Sequence, residues 1–106
     1  RVIRKRIREK MAEVDEGDGI MILTDIFGGT PTNLSLPFMK NKGVQVITGV
    51  NMPMLLALSS YRNGRSLEEL SFLLKTSGRR SIIMLRETLG WRKEARCPSQ
   101  YYYARA

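Results

Sequence analysis

The spacing of apolar positions changes along the chain, and each change marks an element. Between Val2 and Val14, the residues Ile3, Ile7, Met11 and Val14 recur at steps of four, four and three. They share one stripe of an amphipathic helix, with charges on the opposite side. No capping residue precedes this helix, so a segment upstream of Arg1 is expected. The turn Asp15-Glu16-Gly17-Asp18-Gly19 then breaks it. Ile20-Met21-Ile22-Leu23-Thr24-Asp25 is a continuous apolar run ending in polar residues, the pattern of a strand buried on both faces of a parallel sheet. Thr30 is placed as an N-cap with Pro31 at the first helical position. The helix that follows should bury Leu34 and Phe38, and Pro37 should kink it or end it early.

After the turn Lys40-Asn41-Lys42-Gly43, Val44 to Thr48 is predicted as a second strand. Asn51 or its neighbour caps a helix opening at Pro53, which carries Met54, Leu55 and Leu58 on one side. Asn63-Gly64 ends that helix. Ser66-Leu67-Glu68-Glu69 is a capping box, and Leu67, Leu70 and Leu74 form the stripe of the helix it opens, with Gly78 as its stop. Ser81 to Leu85 fits a strand or a helix, since five residues are too few for periodicity to decide. This order predicts an α/β fold, a parallel sheet flanked by helices. Two strands make a thin sheet, and further strands are expected upstream. Residues 1–89 form the domain, incomplete on this reading. From Gly90 to Ala106 the chain has no period and is expected to be a flexible, basic, aromatic tail.

A length of 106 residues allows one domain, and 42% hydrophobic with 26% charged residues is globular usage. The lone cysteine, Cys97, excludes a disulfide framework and fits a reducing, cytoplasmic setting. No apolar run approaches a membrane span. Histidine is absent, which removes Ser-His and Cys-His pairs and histidine metal sites from this chain. No metal or cofactor is expected. The net charge of +8 raises the question of nucleic acid. The excess lies at the two ends, with six basic residues among the first ten, and Met11 to Ser77 is nearly balanced. A nucleic-acid surface would interleave its basic residues with exposed aromatics or set them along a reading helix; gathered at the two ends as they are, the charges are expected to form a solvated face with no nucleic-acid partner.

The chemistry-bearing segment is Asp25-Ile26-Phe27-Gly28-Gly29-Thr30-Pro31-Thr32-Asn33, between the first strand and its helix. Ligands of open α/β sheets sit at the carboxyl ends of strands. Glycines let backbone N–H groups approach an anion, and Thr30 and Thr32 add hydroxyls. Asp25 could orient a neighbouring donor such as an imidazole, accept a proton, or simply cap the helix. The glycines could equally serve only the turn.

The runs Ile22 to Asn33 and Val46-Ile47-Thr48-Gly49-Val50-Asn51-Met52-Pro53-Met54-Leu55 resemble the mannose-type enzyme IIA domain of the bacterial sugar phosphotransferase system. Gly64 to Leu70 and Gly78 to Ile82 resemble it in type and order, so the likeness covers Val2 to about Leu85. The related subunit of dihydroxyacetone kinases, with a Gly-Ser-Ala type loop, is the weaker match. The resemblance implies relay of a phosphoryl group from the carrier HPr to enzyme IIB through a histidine, with sugar entering by a membrane permease that the domain meets only indirectly. It assigns Asp25 to orienting that histidine, and Gly28, Gly29, Thr30 and Thr32 to the phosphate site. It also implies a homodimer that exchanges a carboxyl-terminal strand, matched by Ser81 to Leu85. The family's histidine and first strands would lie upstream of Arg1, so this chain resembles an amino-terminally truncated domain, inactive alone. The other readings are a non-catalytic remnant that dimerises or docks on those partners and, ranked after it, a basic nucleic-acid-binding protein.

Overall fold

A computed structural model describes residues 2–90; apart from Gly90, the tail proposed for residues 90–106 lies outside the described residues. The elements are α1 (Val2–Val14), β1 (Ile20–Leu23), α2 (Thr30–Ser35), a 3-10 segment (Leu36–Lys40), β2 (Val44–Ile47), α3 (Met52–Tyr61), α4 (Leu67–Arg80) and α5 (Leu85–Thr88). The strands β1 and β2 pair in parallel, Ile20 opposite Val44 and Leu23 opposite Ile47, and helices flank this small sheet. Pro37 sits where the helix tightens from α into 3-10, as its missing N–H and ring require.

The core lies where α3 packs on α4 and α4 lies against the strands. Met54, Ala57, Leu70 and Leu74 form its centre, with Met21, Leu23, Ile47, Val50, Leu58 and Leu73 packed around them. Leu74 is wholly buried. Burying such a side chain contributes about 1.5–3 kcal/mol. Asn51 caps α3 by accepting from the Met54 N–H at 3.1 Å, and Ser66 caps α4 by accepting from the Glu69 N–H.

Several expectations are corrected. Gly78 does not stop α4; it lies buried inside it. A Cβ there would come within 3.0 Å of Met54 Cε and 3.4 Å of Asn51 Oδ1, so the glycine serves the close approach of α3's start to α4. The Asn51 side-chain amide also donates to the Gly78 carbonyl at 3.1 Å. In α3 the buried positions are Met54 and Ala57, with Leu55 exposed. Gly29, not Thr30, occupies the N-cap of α2. Leu34 and Phe38 are half-buried. The strand β1 is half-buried along its length rather than enclosed, because a two-stranded sheet leaves it an outer edge. There, Ile3, Ile7, Met11 and Val14 of α1 face Ile20, Met21 and Ile22 across an open groove of about 440 Å³. No α1 residue is fully buried. Ser81 to Leu85 is not a strand in the single chain: a turn and irregular backbone lead into α5, and Ile82, Ile83, Met84 and Leu85 are all exposed.

The double duty of Asn51 gives an ordered expectation. Asn51→Ala should cost about 2 kcal/mol, more than the roughly 1 kcal/mol expected for Ser66→Ala, whose single cap bond is exposed. Urea unfolding of the two variants measures both, and equal losses would remove the bridging role of Asn51.

Candidate functional site

The candidate site is built where the chain leaves the two strands at their shared carboxyl end. Pairing continues past the strands: the Thr24 N–H donates to Ile47 O, the Val50 N–H to Thr24 O and the Gly49 N–H to Asp25 O, at 2.9 to 3.0 Å. These bonds hold the segment Thr24–Gly29 beside the segment Thr48–Asn51. Gly49 meets its share of this geometry with a φ of +77°.

Asp25 is exposed, and its carboxylate Oδ1 accepts from the Ile26 N–H at 2.8 Å. Its other oxygen has no partner among the described residues. From Gly19 to Met39, Asp25 is the sole charged residue. A carboxylate without a local cation repels phosphate, so beside an anion its chemistry is to accept from a donor group such as an imidazole N–H.

The turn after it closes with the Gly29 N–H donating to Ile26 O at 3.2 Å. Gly28 holds a φ of +85°, and nothing lies within 4 Å of where its Cβ would stand. Its requirement is therefore conformational, not steric. The Asn33 side-chain amide donates to Gly28 O at 3.2 Å and its backbone N–H to Gly29 O at 2.9 Å, bracing the turn from α2. Thr30 is exposed, and its hydroxyl has no partner among the described residues. Six residues give α2 little dipole, and Pro31 carries no N–H. Donors for an anion must then come from the turn's backbone and Thr30.

Asp25, Gly28, Gly29 and Thr30 are thus brought together on one exposed loop. Thr32 is placed otherwise: it is 1% exposed, with its hydroxyl 2.7 Å from both Thr24 Oγ1 and Ile26 O. It faces inward, under the loop. Thr24 and Asn33 were not singled out from the sequence. Thr24 closes an apolar run and Asn33 follows a helix start, but a contact across eight residues leaves no mark in local periodicity.

Elsewhere on the molecule, a groove of about 830 Å³ follows β2 and α4, reaching Gly49 and Asn51 but not Asp25. No helix among the described residues is long and apolar enough to cross a membrane.

A small parallel sheet flanked by helices places the chain in the α/β class, with Asp25 and the glycine turn at its strand ends. Residues 2–72 match the family of the PTS system fructose IIA component. The chain is 30% identical over 88 residues to the PTS system fructose-specific EIIA component of Bacillus subtilis, covering 82% of this chain and 60% of that relative. It is 31% identical over 84 residues to the mannose-specific EIIAB component of Escherichia coli K12, covering 77% of this chain and 26% of the relative. The crystal structure of the phosphotransferase system component EIIA from Streptococcus agalactiae superposes with a TM-score of 0.66 at 26% identity, covering 79% of this chain and 68% of that one. The chain therefore belongs to the mannose/fructose-type EIIA family of the sugar phosphotransferase system. It spans 60% of the length of the Bacillus subtilis relative.

The positive φ of Gly28 sets a test of the turn. Gly28→Ala should lower stability by about 1–2 kcal/mol although the site has room for the methyl. Chemical denaturation measures it, and an unchanged midpoint would mean the turn is not held in this conformation.

Proposed function

We propose that this chain supplies the phosphate-cradling and imidazole-orienting part of a phosphoryl relay between HPr and enzyme IIB, in the cytoplasm and upstream of a sugar permease. The supporting observation is the placement of Asp25 at the end of β1, its carboxylate held by the Ile26 N–H, directly before the Gly28–Thr30 turn. Asp25 accepts the N–H of the imidazole and keeps its other nitrogen free to take the phosphoryl group. The Gly28 N–H and the hydroxyl of Thr30 receive the phosphoryl oxygens, on the turn that the Gly29 N–H closes by donating to Ile26 O. Thr32 supports the loop from beneath. No histidine occurs in the 106 residues, so the accepting imidazole comes from outside them.

The absence of histidine also favours the second reading, a domain that docks without transferring. Docking as a homodimer suits the β2 edge, where Phe72 and Ile82 lie exposed along the groove beside Val44 and Leu67. The apolar Ile82 to Leu85 segment of a second copy is the proposed occupant.

Two measurements separate the readings. Incubated with phosphorylated HPr, the 106-residue chain should retain no label, and a labelled residue within it would refute the external imidazole. Titrated with inorganic phosphate, it should show amide shifts confined to Gly28, Gly29 and Thr30. Unmoved resonances there would leave docking as the function.

A further inference from the structure

The two 2.7 Å contacts of the Thr32 hydroxyl have a defined direction. A carbonyl oxygen carries no proton, so the Thr32 hydroxyl donates to Ile26 O. Its one proton is then used, and its contact with Thr24 Oγ1 takes the Thr24 proton. The relay runs Thr24 to Thr32 to Ile26 O. Thr24 and Thr32 are 6% and 1% exposed, so solvent cannot stand in for either hydroxyl.

Ile26 is the pivot of this relay. Its carbonyl accepts both the Thr32 hydroxyl and the Gly29 N–H, which closes the turn. Its N–H holds the Asp25 carboxylate. Fixing that carbonyl fixes the plane of the Ile26–Phe27 peptide, because the unit is rigid. Thr24 is itself anchored by β2, its N–H bonded to Ile47 O and its carbonyl to the Val50 N–H.

We infer that Thr24 and Thr32 are positioning residues: a buried hydroxyl relay that transmits the geometry of the paired strands, through Ile26, to the Asp25 carboxylate and the Gly28–Thr30 turn. This rests on the phosphate-site reading above and adds residues to it. Neither threonine touches the ligand; both set the shape that meets it.

The test is NMR on the full 106-residue chain with inorganic phosphate as the probe. Thr32→Val keeps the side-chain shape, removes the donor and leaves the Thr24 hydroxyl without its acceptor. In that variant, exchange of the Gly29 amide should rise about tenfold and the phosphate-induced shifts at Gly28, Gly29 and Thr30 should fall about fivefold, while Leu70 and Leu74 amides keep their wild-type protection. Thr32→Ser, which restores the hydroxyl, should bring both readouts back. Wild-type Gly29 exchange and phosphate shifts in Thr32→Val would overturn the inference, as would failure of Thr32→Ser to rescue. If wild type does not respond to phosphate yet Thr32→Val loosens Gly29 and Thr32→Ser restores it, the phosphate reading fails and the relay stands. Should Thr32→Val not fold, the wild-type chain decides: slowly exchanging hydroxyl protons on Thr24 and Thr32 support the relay, and their absence overturns it.

Discussion

The parallel pairing of β1 with β2 is the interaction on which the rest depends. Its ladder does not stop at Leu23 and Ile47 but runs on through Thr24, Asp25, Gly49 and Val50 as backbone bonds between two loops. Loops that leave neighbouring parallel strands would otherwise diverge toward their separate helices. Here they stay in register for two further residues, which is far enough to set Asp25 beside the start of the Thr48–Asn51 segment. The same pairing presents Met21, Leu23 and Ile47 together to the core of Met54, Ala57, Leu70 and Leu74.

Packing reaches the site by a second route. Asn51 ends the loop after β2, caps α3 and donates to the Gly78 carbonyl in the last turn of α4. The glycine permits the approach, the amide holds it, and the position of the loop becomes part of the α3–α4 contact. Charge is used sparingly by comparison. Asp25 is the sole charged residue between Gly19 and Met39. The two open margins of the sheet are different in kind: the β1 side is an apolar groove under α1, and the β2 side is a mixed groove bordered by Lys42, Lys75 and Arg79.

Much of the fold was legible because its signals are local. The apolar runs of β1 and β2, the capping box at Ser66, the Asn51 cap and the prolines at helix starts each act over three or four residues. Asp25, Gly28, Gly29 and Thr30 stand out as candidates for the same reason, lying in one strand-to-helix connection. Gly78 was misread because a glycine near a helix end looks like a stop. Only the approach of Met54 and Asn51, more than twenty residues away, gives it a different purpose. Leu55 was misplaced because α3 is apolar nearly all round, so its sequence does not say which side α4 will cover.

The sequence by itself determined the order of elements, the ends of most helices and the residues of the exposed turn. These follow from backbone preferences and hydrogen bonds between near neighbours. Tertiary structure decided what the hydroxyls and glycines do: Thr32 turns inward to Thr24, Gly78 makes room for Met54, and Ser81 to Leu85 stays exposed, a turn and irregular backbone leading into α5 with no strand partner among the described residues. Each of those outcomes depends on which distant atom arrives within bonding or van der Waals distance, and that is settled only when the strands pair and the helices pack.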